Sequence, residues 1–177
     1  MINVILSGAN GKMGRVIENC IAQRDDMQII CGVDINTTKY AEFPIYSTIS
    51  DCLFFDVQRA DVVIDFSHPN ALEKTLEYCF QNNVALVAAT TGYTNEQIEQ
   101  IKNAAKKIPV FFTFNMSLGI NLLIELAKKA TAVLGDQFDI EIVEKHHNQK
   151  IDAPSGTAIM LANEINQTAN NTYNYEY

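Results

Sequence analysis

Apolar runs and helix-period segments alternate along most of the chain. Ile2-Asn3-Val4-Ile5-Leu6-Ser7 reads as a strand, and Gly8-Ala9-Asn10-Gly11-Lys12-Met13-Gly14 follows at once. A helical pattern then begins, with Met13, Val16, Ile17, Cys20 and Ile21 on one face. Met27 to Val33 is a second apolar strand, and it ends at Asp34. From Ile35 to Phe55 the pattern is weak; Pro44 and mixed short runs predict a loop with a minor strand or helix. Order returns with a buried strand over Asp61 to Phe66, after which Ser67-His68-Pro69 opens a helix through about Asn82. Val84 to Ala88 is the next strand, ending in Ala89-Thr90-Thr91-Gly92. Thr94-Asn95-Glu96-Gln97 has the form of a capping box and leads a helix to about Lys107, and Val110 to Phe114 is a further strand.

After Ser117-Leu118-Gly119 the pattern changes. Ile120 to Leu134 is one long helix, with apolar residues at Leu122, Leu123, Leu126, Ala130 and Val133. Phe138 to Glu144 alternates strictly, as a strand with one buried face does. Alternating strands and helices predict an α/β fold, a doubly wound parallel sheet with right-handed crossovers. The shift in pattern near Asn115 to Leu118 predicts a dinucleotide-binding domain over residues 1–116, of the Rossmann type. The first part of an α+β substrate and oligomerisation domain follows over 117–177.

Composition narrows the class without naming a function. A hydrophobic content of 47% with 19% charged residues suits a globular core. The net charge of -8 and the lack of a basic cluster argue against nucleic acid as a partner. No apolar run reaches the length of a membrane span, and the first segment reads as a strand, not a signal peptide. Cys20, Cys31, Cys52 and Cys79 form no Cys-x-x-Cys pair and read as small buried hydrophobes in a reducing compartment, the cytoplasm.

Strand, glycine turn and helix in that order are the context of a dinucleotide fingerprint, here spaced Gly-x-x-Gly-x-x-Gly. Backbone without Cβ atoms approaches a pyrophosphate at a helix N-terminus. Asp34, twenty positions beyond Gly14, is placed to accept hydrogen bonds from ribose hydroxyls. The bland alternative is a strand-end turn residue. An acid there repels a 2′-phosphate and Ile35 adds no cation, although Lys39 does if its loop folds back; NADH is therefore expected over NADPH. Ligands on such sheets sit at strand C-terminal ends, where Asp65-Phe66-Ser67, Ala89-Thr90-Thr91 and Phe114-Asn115-Met116 lie. Each alone is equally well turn chemistry. His68 reads as a helix-opening residue with no catalytic role.

The densest chemistry lies in Glu144-Lys145-His146-His147-Asn148-Gln149-Lys150-Ile151-Asp152-Ala153-Pro154-Ser155-Gly156-Thr157-Ala158. Ser155 reads as an N-cap, leaving backbone N–H groups beside Thr157 to attract a carboxylate or phosphate, with the charge of Lys150 close by. Histidine is the natural proton donor near neutral pH. The same residues also describe an ordinary polar helix start. A metal site is disfavoured, because neighbouring histidines on a strand point to opposite faces and no further ligand is near in sequence.

That stretch resembles the signature of the 4-hydroxy-tetrahydrodipicolinate reductase (dihydrodipicolinate reductase) family, and Gly8-Ala9-Asn10-Gly11-Lys12-Met13-Gly14 is similar to its cofactor loop. The resemblance implies NAD(P)H-dependent reduction of a cyclic dicarboxylate in the diaminopimelate route to lysine. It implies His146 as proton donor/acceptor and Lys150 as proton donor and substrate-side cation. His147 and the amides of Gly156 and Thr157, led by Ser155, would hold the substrate. Gly8, Ala9, Asn10, Gly11, Lys12, Met13, Asp34, Ala89, Thr90, Thr91, Thr113, Phe114, Asn115 and Met116 would hold NADH or NADPH. It also implies a homotetramer assembled through the second domain. Family members continue well past the signature helix, so a C-terminally shortened chain is expected, with tetramer assembly and activity left open. The competing readings are a catalytically silent dinucleotide-binding module and an aspartate-pathway dehydrogenase on the same fold; the latter leaves His146-His147-x-x-Lys150 unexplained.

Overall fold

Successive residues of the first strand enter two separate cores. In the computed structural model, Ile5 packs with Cys31, Val63, Leu86 and Ala88, while Leu6 packs with Ala9, Phe43 and Ile45. Side chains of a strand alternate between faces, so a strand that is apolar at every position must be covered on both sides. The structure describes residues 1–53, 59–146, 148, 150 and 153–176, apart from the side chains of Leu53 and Asp136. It divides into two compact units, Met1–Thr113 and Phe114–Tyr177.

In the first unit the strands are β1 (Ile2–Ser7), β2 (Met27–Val33), β3 (Ile45–Tyr46), β4 (Val62–Asp65), β5 (Ala85–Ala88) and β6 (Val110–Phe112). All pair in parallel, in the order β3-β2-β1-β4-β5-β6. The order reverses direction beside β1, so a crevice opens at the C-terminal ends of β1 and β4. Helix α1 (Lys12–Ala22) covers the Leu6 face through Ile17. Helices α2 (Leu72–Asn82) and α3 (Asn95–Ala104) cover the Ile5 face through Leu72, Leu76, Cys79, Ile101 and Ala104. Each fully buried leucine or isoleucine contributes about 1.5–3 kcal/mol.

Local signals set the helix ends. His68 caps the 3-10 turn Pro69–Ala71, its Nδ1 accepting from the Asn70 N–H at 3.2 Å. Asn83, in the left-handed region at φ 52°, stops α2. The capping box of α3 is present on both sides: Thr94 accepts from the Gln97 N–H, and the Gln97 side chain accepts from the Thr94 N–H.

Two details of the first unit correct the sequence reading. Only Ile21 and, in part, Ile17 of the expected α1 face turn inward, while Met13 and Val16 are exposed. Gly14 is buried as well, close against the Gly8 and Ala9 carbonyls. Cys20 is also exposed, whereas Cys31, Cys52 and Cys79 are buried.

The second unit holds α4 (Leu118–Leu134), a 3-10 turn (Gly135–Gln137) and α5 (Gly156–Thr168). Ser117 caps α4 and Ser155 caps α5. Ile124 and Ile165 are buried, and Lys128 of α4 joins Glu125 and, across to α5, Glu164 at 3.1 and 2.9 Å. Along α4 the apolar Leu122, Leu123, Leu126 and Val133 are exposed and Ile124 is buried. The expected strand over Phe138 to Glu144 is corrected. No strand forms there, and Phe138, Ile140, Ile142 and Val143 are exposed. A strand requires a neighbour to complete its hydrogen bonds, and among the described residues of this unit there is none.

Candidate functional site

The C-terminal edge of the sheet gathers the first cluster. Gly8 takes φ 79°, and its N–H donates to the Val33 carbonyl at 2.8 Å, closing the chain over the end of β2. A Cβ at Gly8 would stand 2.5 Å from the Phe66 carbonyl oxygen, and one at Gly14 would meet Ala9 O at 2.6 Å. Both positions therefore need glycine: the first for its conformation, the second because α1 starts hard against the turn. Gly11 is the N-cap of α1 and brings no side chain to cap it. The N–H groups of the first turn, from Lys12 to Gly14, are thus left to an external acceptor.

Asp34 is drawn onto this turn. Its Oδ2 accepts from the Asn10 N–H and its Oδ1 from the Asn36 N–H, both at 2.9 Å. The Asn10 amide donates to the carbonyls of Asn36 and Thr38 at 2.5 and 3.1 Å, and the Tyr40 hydroxyl donates to Ala9 O at 2.9 Å. Residues more than twenty positions apart in sequence are thereby held as one surface.

The loop Ala89–Thr91 is anchored by a buried acid. Asp65 is fully buried; its Oδ1 accepts from the Ser67 N–H and hydroxyl at 3.1 and 2.5 Å. Its Oδ2 lies 3.3 Å from both the Thr90 and the Tyr93 hydroxyls. A buried carboxylate is tolerated only when its oxygens are satisfied in this way. Burial, then the Asp65 charge, pushes the Tyr93 phenol up, so it stays a donor. Thr113 closes the edge, its N–H donating to Ala88 O at 3.3 Å.

The second cluster lies wholly in the other unit. Ser155 accepts from the Ala158 N–H at 3.1 Å, and Glu144 accepts from both the N–H and the hydroxyl of Ser155. His146 Nδ1 stands 3.6 Å from Glu144 Oε2. Hydrogen bonds from the Ser155 side chain and backbone hold the Glu144 carboxyl below the usual glutamate range; the charges of His146 and Lys150 add to this. Gly156 and Thr157 open α5, and Asn115 donates to the Thr157 hydroxyl at 2.8 Å while accepting from the Ser117 N–H at 2.7 Å. Phe114, Asn115 and Met116 belong to this unit. His147 lies outside the described residues. The described residues hold no cluster of histidine, cysteine and acids able to bind a metal.

Sequence reasoning gave no role to Glu144 or Tyr40 and placed Asp65 only at a strand end facing the crevice. An acid inside an otherwise apolar strand was a usable signal for Asp65. Glu144 lay inside the signature, but its partner eleven positions on was not legible without the turn between them.

The strand order and the glycine turn with its tethered acid define a dinucleotide-binding protein of the Rossmann type. Residues 2–116 match the family described as dihydrodipicolinate reductase, N-terminus, and residues 119–176 match dihydrodipicolinate reductase, C-terminus. The chain belongs to the dihydrodipicolinate reductase family. It is 47% identical over 165 residues to 4-hydroxy-tetrahydrodipicolinate reductase of Clostridium novyi (strain NT), covering 93% of this chain and 64% of that one. Against the protein of the same name from Clostridium tetani (strain Massachusetts / E88), identity is 42% over 177 residues, the whole of this chain and 68% of that one. The solved structure of dipicolinate-bound dihydrodipicolinate reductase from Paenisporosarcina sp. TG-14 superposes with a TM-score of 0.75 at 29% identity, covering 99% of this chain and 69% of that one. The chain thus spans about two thirds of the length of these relatives.

Proposed function

We propose that this chain carries the cofactor-binding and signature parts of an NAD(P)H-dependent oxidoreductase that reduces 4-hydroxy-tetrahydrodipicolinate to tetrahydrodipicolinate, in the diaminopimelate route to lysine. Family membership supports the reading, and so does the name of the Paenisporosarcina relative, a dipicolinate-bound protein and hence one that takes a planar dicarboxylate. The observation that carries it is the Glu144–Ser155 clamp, which holds His146 beside the N-terminus of α5.

The dinucleotide fits the first unit. Gly8, Ala9, Asn10, Gly11, Lys12 and Met13 hold its pyrophosphate on the open N–H groups of α1. Asp34 takes the ribose hydroxyls, which favours NADH over NADPH. Ala89, Thr90, Thr91 and Thr113 complete the nicotinamide-side contacts. When bound, the cofactor supplies the hydride.

The chain's own residues do the rest. Gly156 and Thr157 offer helix N-terminal N–H groups to a substrate carboxylate, with Ser155 locking their orientation and His147 adding a further contact. Lys150 supplies a full positive charge and a proton, and His146 gives or takes a proton at its imidazole. No helix among the described residues is long and apolar enough to cross a membrane. The scattered cysteines, with no Cys-x-x-Cys pair, support a reducing compartment, the cytoplasm. Assembly as a homotetramer completes the reading, and mass in solution tests it.

The deciding experiment is NADH oxidation by the chain, with substrate generated in place by the preceding synthase. Turnover that His146→Ala abolishes is the expected result. NADH binding without turnover would instead make the chain a dinucleotide-binding module.

A further inference from the structure

Cys31 and Cys52 stand 21 positions apart in sequence, and their sulfur atoms meet at 2.8 Å inside the core of the first unit. Cys31 lies in β2, paired with Ile5 of β1, and is fully buried. Cys52 lies in the 3-10 turn Ile49–Leu53 and is 3% exposed. That turn is placed by the fold. β3, just before it, pairs with β2 through Ile45 and Tyr46. Asp51 then accepts from the Thr48 N–H and the Ser47 hydroxyl, both at 3.2 Å. Ile49 and Cys52 pack in the same core as Leu76 and Cys79 of α2.

Contact with Cys52, and then burial, pushes the Cys31 thiol up, so it rests protonated. Two thiols already in contact need only a small side-chain movement to reach bonding distance. We propose that Cys31 and Cys52 are an oxidisable dithiol, which hydrogen peroxide converts to an intramolecular disulfide in the folded chain. The modification is independent of the reductase reading.

The Cys52 sulfur, the less buried of the two, attacks one peroxide oxygen; the O–O bond breaks, a water leaves, and a sulfenic acid remains. The Cys31 sulfur then displaces the hydroxyl from the Cys52 sulfur, and a second water leaves. Two thiols lose two electrons and two hydrogens, and one peroxide becomes two waters. The first step is slow, because the thiolate is the attacking form and the pair is reached only by local opening. The second is fast, because its partner is already in place. The ring so closed contains Asp34, Asn36, Thr38 and Tyr40, which tie their loop to the glycine turn. A cross-link there restricts the unfolded chain and stabilises the fold.

The test uses the chain with Cys20→Ser, which removes the exposed thiol and leaves the pair native. The reduced protein is treated with hydrogen peroxide, quenched, alkylated in denaturant and weighed before and after digestion. Trypsin, cutting after Arg24, Lys39 and Arg59, puts Cys31 and Cys52 on separate peptides. The expected product has lost two hydrogens, carries residues 25–39 linked to 40–59, and melts higher than the reduced chain. Dithiothreitol should reverse both changes. Sulfurs that gain oxygen without linking, or a link that involves Cys79, overturn the proposal. So does a linked chain that melts lower, since the native fold would then have to distort to make the bond. In urea the same treatment should spread the links among Cys31, Cys52 and Cys79. Equal selectivity there would make sequence spacing, and not the fold, the source of the pairing, and overturns the proposal too.

Discussion

Glu144 accepts two hydrogen bonds from Ser155, one from the backbone N–H at 2.8 Å and one from the hydroxyl. The hydroxyl that donates to Glu144 accepts in turn from the Ala158 N–H at 3.1 Å. One serine therefore caps α5 and fastens it to the segment that carries His146. The fastening spans eleven residues of chain and sets the N-terminus of α5 against the end of the Phe138 to Glu144 run.

Loss of the cap should be visible in stability. Ser155→Ala removes an N-cap and is expected to cost the second unit about 1 kcal/mol, within a range of roughly 0.5–2 kcal/mol. Urea titration of the variant against the native chain measures it. The pH dependence follows from Glu144, whose carboxyl is held low by Ser155 first and then by nearby positive charge. A lowered carboxyl pKa adds stability at neutral pH that is lost as pH falls from about 4.3 through the folded-state value. Thermal melts of the native chain should therefore fall more steeply with acid than those of Glu144→Gln; parallel curves would remove the clamp.

Lys150 belongs to the substrate side of the proposed site, and its charge acts on Glu144. Lys150→Ala is expected to lower turnover by about a hundredfold or more, in line with loss of a proton donor, while NADH affinity stays unchanged. Steady-state kinetics beside a fluorescence titration of NADH separates the two. An equal loss of cofactor binding would contradict the assignment.

Asp34 bonds the Asn10 and Asn36 N–H groups, and it is proposed to take the ribose hydroxyls of NADH. Asp34→Ala is expected to weaken NADH more than NADPH, because the variant also removes the charge that repels a 2′-phosphate. Dissociation constants for both cofactors decide it, and the reverse order would place Asp34 away from the ribose.

The cysteines divide by exposure. Cys20 is on the surface, while burial pushes the Cys79 thiol up to about 12, and the Cys31 thiol also rises through its contact with Cys52 and its burial. The thiolate is the reacting form. The folded chain should give one fast-reacting thiol with a disulfide reagent and four after denaturation, and Cys20→Ser should abolish the fast one.

Local chemistry made much of the first unit legible. β2 runs from Met27 to Val33 as its apolar pattern predicts, and the capping box at Thr94 is formed on both sides. These features depend on neighbours in sequence, which residue type alone controls. The faces of helices were less legible. The α1 stripe through Met13 and Val16 is exposed, and so are the apolar Leu122 and Leu126 of α4. Apolar periodicity says that a helix has a face, while the element packed against it selects which residues are covered.

The sequence by itself determined the alternation of strands and helices, the glycine turn at Gly8 and the cap at Ser155. Each follows from backbone preference or from a hydrogen bond a few residues away. Tertiary structure alone decided which neutral partner each charged group meets: Arg15 over Tyr40, Asn10 on Asp34, Asp65 among Ser67, Thr90 and Tyr93, and Glu144 on Ser155. Hydrogen bonds and charge contacts act over a few ångströms, so their partners are chosen by how the chain closes on itself. It likewise decided that Phe138 to Glu144 forms no strand here, since alternation prepares a strand but only a neighbouring one can bond it.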